Sequence, residues 1–374
     1  MRTLPLEVNG KLHLKGYLRA AIERLFQEWG EARYRATQLL EWIYGKGVES
    51  FEDMTNLPKA LRHRLAERCT LHTLSLERWQ RSAMDGTSKL LFRLPDGAAV
   101  EAVLIPSSNP SATGSRRRLT LCVSTQVGCP LGCVFCATAT LRLRRNLNAA
   151  EIVDQLLQAQ RLAGERITNI VFMGMGEPLL NTDAVLDAIR IWTDPAVRLL
   201  SARHITLSTA GIVPEIYRLA DSGIRCKLAI SLHTTKQELR ERLMPIARRY
   251  SLRDLQRAVC YYAERTQRPV TYEYILFDGL NDSLEDADEL ARFVRATPPA
   301  KVNLIPFHPI GFTHPTGIAA TLRPSPPERI AAFQQRLRSQ GVIATLRSSS
   351  GVDINAACGQ LAFSWEHAVT HCGS

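Results

Sequence analysis

Residues 126–136 carry the sequence QVGCPLGCVFC, which places Cys129, Cys133 and Cys136 in the spacing CxxxCxxC. Three thiolates this close together can bind one face of an iron–sulfur cubane, and the glycines before Cys129 and Cys133 let the backbone turn around it. Three ligands leave one of the four irons open to a substrate. A zinc site would need a fourth ligand from elsewhere in the chain, and that alternative stays open.

An apolar segment at residues 119–127, predicted as a β-strand, leads into this loop, and strands and helices then alternate. Such alternation predicts parallel strands joined by right-handed crossovers. Six strand–helix units predict an α/β fold with a partial (β/α)6 barrel rather than a closed eight-stranded one. The predicted strands are 119–127, 168–174, 204–208, 227–232, 271–277 and 301–306, with a last strand at 342–346; the predicted helices are 149–163, 182–193, 213–222, 236–246, 284–296 and 327–340.

The region before the barrel has a different pattern. Apolar residues at helical spacing cover residues 17–44, and a further helix is predicted to begin at Pro58. Two short alternating segments flank the turn Pro95-Asp-Gly97 and predict a β-hairpin extension. The predicted divisions are a helical and hairpin accessory domain at 1–106, a linker at 107–118, the barrel at 119–350 and a C-terminal segment at 351–374. The helices of the accessory domain are basic, which indicates either contact with RNA or ordinary solvated helix faces.

Composition restricts the class of protein. A hydrophobic fraction of 45% with 22% charged residues is typical of a soluble globular protein. The net charge of +11 favours a polyanionic partner such as nucleic acid, although a solvated basic face would have the same charge. We find no signal-peptide pattern and no apolar run of about 18 residues, so a cytoplasmic protein without a membrane partner is expected. Nine cysteines, an odd number, argue against a disulfide scaffold.

Glycines and short polar residues recur near the C-terminal ends of the predicted strands, where barrels carry their functional groups. Any one of them could be a buried group bonded to backbone, but their recurrence at one rim favours ligand contacts. The residues in question are Gly176, Glu177, Ser208, Ser231, His233 and Asn303.

A CxxxCxxC loop after the first barrel strand resembles the radical S-adenosylmethionine (SAM) superfamily. Residues 172–178, FMGMGEP, also resemble its Gly-Gly-Glu element, matching at Gly176 and Glu177. The resemblance implies a 4Fe–4S cluster on the three cysteines, whose open iron binds SAM and generates a 5′-deoxyadenosyl radical. It further implies SAM contacts from Gly176, Glu177, Ser208, Ser231, Leu232, His233 and Asn303.

Two further cysteines narrow the resemblance. Cys122 lies in LCVSTQ and Cys358 in DINAACGQL, and both contexts, with the basic helical N-terminal region, closely resemble the RlmN/Cfr family of RNA adenine methyltransferases. That resemblance implies that one SAM methylates Cys358 and that a second yields the radical that activates the methyl group for addition to adenine. Cys122 then resolves the adduct through a disulfide, and Glu101 matches the proposed proton acceptor. The alternative for Glu101 is a solvent-facing hairpin residue.

The expected product is rRNA with an adenosine methylated at carbon 2, and tRNA is a second candidate substrate. Carbon 8 methylation, another radical SAM reaction class and a zinc-dependent RNA-binding protein are the alternatives. The expected partners are RNA and an electron donor such as flavodoxin, and a monomer is expected. Departures from the family pattern are the segment RSSSGVD at 347–353, residues 137–145 and an insertion at 107–115. Cys372 has no family counterpart.

Overall fold

The computed structural model of the protein describes residues 7–8, 10–107, 118–197, 199–297 and 299–363. Most of the predicted linker and insertion, as well as Cys372, therefore lie outside the described residues. Within them, every helix is too short or too polar to cross a membrane.

The N-terminal region is helical, as predicted. Its helices pack around fully buried side chains such as Phe26, Leu39 and Leu61. A small three-stranded sheet of Glu7–Val8, Lys11–His13 and Cys69–Thr70 lies beside them. The helices are α1 (Arg19–Glu28), α2 (Tyr34–Leu40), which continues as a π-helical turn over Glu41–Lys46, and α3 (Lys59–Arg68).

A buried ion pair joins this helical region to the rest of the molecule. Lys15 Nζ lies 2.6 Å from Asp154 Oδ1, and both side chains are almost completely buried. The backbone N–H of Leu74 also donates to Asp154, at 3.4 Å. A buried charge is retained only when a partner offsets its desolvation, so this contact holds the two regions in one orientation.

One ten-stranded sheet forms the centre of the fold, and its strands are neighbours in the same order as they occur in the chain. Strands β1 to β4 pair antiparallel, whereas β4 to β10 are all parallel. The strands are β1 (Ser75–Arg81), β2 (Ser88–Arg93), β3 (Ala99–Pro106), β4 (Leu119–Cys122), β5 (Asn169–Phe172), β6 (Ile205–Thr209), β7 (Lys227–Ser231), β8 (Val270–Leu276), β9 (Ala300–Pro306) and β10 (Ala344–Leu346).

Helices follow the parallel strands, which confirms the partial α/β barrel. The unit after β7 differs from the prediction because it contains two helices, and the second of them, over Leu252–Thr266, was not predicted. Pro245 lies between the two and separates them. The helices are α4 (Ala149–Ala163), α5 (Thr182–Thr193), α6 (Val213–Asp221), α7 (Gln237–Leu243), α8 (Leu252–Thr266), α9 (Leu284–Arg295), α10 (Ile318–Thr321) and α11 (Pro327–Ser339).

The hairpin extends the barrel sheet, because β3 pairs with the first parallel strand through Val103 opposite Cys122. The C-terminal segment then crosses to the loop between β1 and β2. The Gly351 N–H donates to Asp85 at 2.9 Å, and the Ala83 N–H donates to Asp353 at 3.2 Å. These bonds bring the chain that carries Cys358 across the barrel.

Candidate active site in the barrel

The cysteine loop is held from two sides by backbone hydrogen bonds. Cys129 N–H donates to the Leu141 carbonyl and Val134 N–H to the Leu243 carbonyl, both at 3.0 Å. Gly128 has a φ of +81°, and a Cβ there would lie 2.4 Å from the Arg142 carbonyl oxygen. Only glycine meets both conditions, so the loop geometry depends on this residue.

The three cysteines of the loop lie within electrostatic range of one another. Burial, followed by the charge of neighbouring thiols, raises the pKa of Cys133 well above its ordinary value, and burial raises the pKa of Cys129 to about 12. Bound iron would oppose this, because a coordinating cation stabilises the thiolate. In the described residues no three His, Cys, Asp or Glu side chains converge as ligands of a single ion. A cubane takes each thiolate on a different iron, so three thiols from one loop match the donor set of such a cluster.

Glu177 lies beside the loop in a fully formed hydrogen-bond network. Its carboxylate accepts from the backbone N–H groups of Ala210 at 2.8 Å and Leu179 at 3.0 Å. Gly176, at φ +96°, must be glycine because a Cβ would lie 2.6 Å from the Gln126 side chain. Burial raises the pKa of Glu177 in spite of these bonds. At the predicted Gly-Glu pair, the backbone of Gly176 therefore lies close to the start of the cysteine loop, and the Glu177 carboxylate lies next to it.

His233 is buried two residues after the end of β7, next to Phe135 of the cysteine loop. The Ile275 N–H donates to its Nδ1 at 3.0 Å, which requires this nitrogen to be unprotonated. Its ring centroid is 4.8 Å from that of Phe135. Burial, and then the charge of Arg240, lower its pKa to about 3, so the imidazole is neutral. Ser231 ends the same strand and Leu232, which is fully buried, follows it.

Arg240 is a buried cation that the sequence did not single out. Its guanidinium donates to the carbonyls of Ala210 at 2.7 Å, Ser231 at 3.1 Å and Leu232 at 3.3 Å. It also interacts electrostatically with the Cys133 thiol. A positive charge at this point favours the anionic thiolate form that a cluster needs.

A cavity of about 550 Å³ occupies the barrel lumen, and Cys122 and Cys358 both line it. Burial, and then the charge of Cys358, raise the pKa of Cys122 to about 12. Both are free thiols. Of the predicted SAM contacts, Asn303 lines this cavity, whereas Gly176, Glu177, Ser208 and Ser231–His233 do not. The fold therefore brings together two cysteines that are distant in the chain.

Cys358 opens onto this cavity, and desolvation by the surrounding protein raises the pKa of its thiol. The nearby guanidinium of Arg347 lowers that pKa, and the carboxylate of Glu273 raises it. Asn303 donates to Glu273 Oε1 at 3.0 Å, while Glu273 Oε2 is buried without a hydrogen-bond partner in the described residues. Glu273 and Arg347 were not predicted as site residues. Glu273 could have been found from the sequence, because it is a carboxylate within the otherwise apolar strand β8.

The segment with Cys358 contacts the end of the cysteine loop directly. The Ala137 N–H donates to the Gly359 carbonyl at 2.7 Å, and the Thr138 hydroxyl donates to the Leu361 carbonyl at 2.6 Å. The charge of Cys358 also raises the pKa of Cys136 after burial. Cys358 is therefore within electrostatic range of both Cys136 and Cys122.

Glu101 is completely buried on β3, so the alternative of a solvent-facing hairpin residue is wrong. Its Oε2 accepts from the Phe363 N–H at 3.1 Å, and its carbonyl accepts from the Ser124 hydroxyl. The carboxylate thus contacts the C-terminal segment at Phe363, five residues after Cys358. Of the cysteines outside this region, Cys69 and Cys226 are buried and Cys260 is half-buried, and none of the three lines the cavity.

Two family models match parts of the chain. Residues 12–71 match the model of the ribosomal RNA large subunit methyltransferase N-terminal domain, and residues 123–294 match the radical SAM superfamily. The chain is 46% identical to the probable dual-specificity RNA methyltransferase RlmN of Symbiobacterium thermophilum, over 94% of this chain and 91% of the relative. It is 45% identical to the dual-specificity RNA methyltransferase RlmN of Syntrophobacter fumaroxidans, over 93% and 97%. A crystal structure of a radical SAM methyltransferase from Sphaerobacter thermophilus superimposes with a TM-score of 0.84 at 43% identity, covering 93% of this chain and 98% of that one.

Proposed function

The chain belongs to the RlmN family of radical SAM enzymes and is a SAM-dependent RNA methyltransferase, and on this premise we propose that it methylates carbon 2 of adenosine in RNA through a methyl group carried on Cys358. Its cofactors are a 4Fe–4S cluster and SAM, with two SAM per turnover. The observation that carries the proposal is the shared cavity of Cys122 and Cys358 next to the cysteine loop. A reaction class without a methyl relay has no use for two facing thiols at this point.

The residues supply a nucleophile and a means of release. Cys129, Cys133 and Cys136 would hold the cluster, while Gly176, Glu177, Ser208, Ser231–His233 and Asn303 would bind SAM. When bound, these cofactors supply a methyl group and a 5′-deoxyadenosyl radical. The Cys358 thiolate attacks the methyl group, and the neighbouring Arg347 favours the thiolate.

The later steps use Cys122 and Glu101. The S-methyl group would give a hydrogen atom to the 5′-deoxyadenosyl radical, and its carbon then bonds to the adenine ring, so that Cys358 is joined to RNA. Glu101 accepts the proton that the ring carbon loses, and the remaining electron would return to the bound cluster. Cys122 attacks the Cys358 sulfur, the sulfur–carbon bond breaks with its electron pair on the carbon, which takes up a proton, and a disulfide forms as the methylated RNA leaves. A cellular dithiol then reduces this disulfide.

The substrate proposal rests on charge and on the relatives. The relatives are named dual-specificity RNA methyltransferases, and the net charge of +11 suits an RNA partner. We propose that rRNA and tRNA are both substrates of a cytoplasmic monomer, with an electron-donor protein of the flavodoxin kind. Ser348, Ser349 and Ser350 of the divergent segment line the cavity, and this local change keeps carbon 8 as the alternative position.

Mass spectrometry of nucleosides tests the proposal. A deletion strain should lose 2-methyladenosine from rRNA and tRNA, and loss of 8-methyladenosine would instead establish the alternative. If neither nucleoside is lost, both positions are wrong. Purified Cys122→Ala protein should accumulate a covalent RNA adduct on denaturing gels, since nothing resolves the bond to Cys358. The matched control is Cys260→Ala, which removes a half-buried thiol on α8 outside the cavity; an adduct in that variant too would contradict the role of Cys122.

A further inference from the structure

The end of the cavity opposite the cysteine loop is lined by cations. Strands β4, β7 and β9 are parallel, so their N-terminal ends meet at one edge of the barrel. Arg118 precedes β4, Lys227 begins β7, and Lys301 is the second residue of β9. All three line the same cavity as Cys358. We refer to Arg118, Lys227 and Lys301 as the cationic mouth.

The charges of the cationic mouth repel one another. Burial, and then the charges of Arg118, Lys301 and Arg268, lower the pKa of Lys227. In the part of the chain that the structure describes, no carboxylate lies within ion-pair distance of these four cations. Lys301 interacts electrostatically with Glu273, which lies farther along the lumen. Like charges gathered in a concave site cost free energy that an anion would offset.

Hydroxyl groups line the cavity beside these cations. Thr206 is the register partner of Lys227 on the adjacent strand, and Thr271 is the partner of Lys301. Thr120, two residues after Arg118, also lines the cavity. Cationic side chains with neighbouring hydroxyl donors are the groups that bind phosphate oxygens in proteins.

We propose that the cationic mouth binds a small phosphate-bearing anion, which enters the lumen from the N-terminal ends of the strands. A small ligand is favoured over the phosphate backbone of RNA because the cations and threonines line the inside of a cavity. A nucleic acid lying across the barrel end would meet the cations without reaching the hydroxyls. This site is separate from the methyl relay, and its existence does not depend on the methylation proposal.

Titration calorimetry of the full chain with pyrophosphate tests the site, at constant ionic strength set with sodium chloride and without SAM or RNA. The expected result is saturable binding at one site. Lys227→Ala and Lys301→Ala should each weaken it about tenfold, the effect of removing one charge-assisted hydrogen bond. Lys59→Ala, which removes an exposed lysine at the start of α3, is the matched control and should bind as the unaltered protein does.

Thermal unfolding distinguishes a binding role from a structural one. Without pyrophosphate, Lys227→Ala should melt at the same temperature as the unaltered protein or at a higher one, because repulsion among the cations is relieved. With pyrophosphate, only the unaltered protein should show a marked rise in melting temperature. Absence of saturable binding, or equal affinity in Lys227→Ala, would overturn the proposal. A third outcome would also overturn it: the unaltered protein does not bind pyrophosphate, and Lys227→Ala binds a short single-stranded RNA more weakly than the unaltered protein does. The cationic mouth would then be an RNA contact. Failure of methylation would leave each of these results unchanged.

Discussion

The two sets of thiols in the cavity region are assembled in opposite ways. Cys129, Cys133 and Cys136 belong to one loop, and backbone hydrogen bonds within and beside that loop hold them. Cys122 and Cys358 come from the first parallel strand and the C-terminal segment, and they face one cavity only because that segment crosses the barrel. The proposed radical generator is thus a local structure, whereas the proposed methyl relay exists only in the complete fold.

The largest expected effect separates the two sets. Cys133→Ala should lose both iron and methylation, because the cluster has lost a ligand. Cys358→Ala should keep the iron and sulfide content of the unaltered protein and lose methylation by at least about 10³-fold, since the nucleophile is absent. Metal and sulfide analysis combined with nucleoside mass spectrometry measures both. Methylation by Cys358→Ala would place the protein in another radical SAM reaction class.

An intermediate effect concerns the charges that act on the relay thiol. Arg347 lowers the pKa of Cys358 and Glu273 raises it. At a fixed pH below that pKa, Arg347→Gln should therefore slow alkylation of Cys358, and Glu273→Gln should accelerate it, each by roughly three- to tenfold. The rate is measured by mass spectrometry of the Cys358 peptide in the cluster-loaded protein under anaerobic conditions.

The control for this pair is Arg257→Gln, an exposed arginine on α8 whose removal should leave the alkylation rate unchanged. Changes of the same sign in Arg347→Gln and Glu273→Gln would contradict the electrostatic explanation, because general loosening of the cavity would accelerate both.

The smallest effect tests the crossing of the C-terminal segment. Asp85→Ala removes the acceptor of the Gly351 N–H and should lower the free energy of unfolding by about 1 kcal/mol in urea denaturation. Burial opposes ionisation of Asp85, but hydrogen bonds from Thr87 and Gly351 outweigh it and hold its pKa below the ordinary value. The contribution of Asp85 to the free energy of unfolding is present above the pKa of about 4 that Asp has in the unfolded chain. It is lost as the pH falls through the lower pKa of Asp85 in the folded protein.

The difference between Asp85→Ala and the unaltered protein should therefore narrow below about pH 4. Asp53→Ala, which removes an exposed carboxylate of the N-terminal region, is the control and should change stability little. A difference that stays constant as the pH is lowered would mean that the ionised carboxylate does not hold the segment.

Sequence patterns predicted much of the fold because strands and helices are set by local periodicity. The strands before and after the cysteine loop, the helices that follow them and the hairpin all lie close to their predicted positions. Helix α8 departs from the prediction of a single helix between consecutive strands, because Pro245 ends the first helix and a second one forms before the next strand. Glu101 shows a second limit, because alternation along a strand does not reveal that the C-terminal segment covers it.

By itself, the sequence determined the cysteine loop, the parallel α/β order and the family, since spacing and motifs express short-range chemistry. Tertiary structure alone decided that Cys358 meets Cys122 in one cavity, that Arg347 and Glu273 adjust its pKa in opposite directions, and that Arg240 lies beside Cys133. It also decided that Arg118, Lys227 and Lys301 converge at the other end of the lumen. These contacts join residues that are remote in the chain, and the register of parallel strands and the closure of the barrel bring them together.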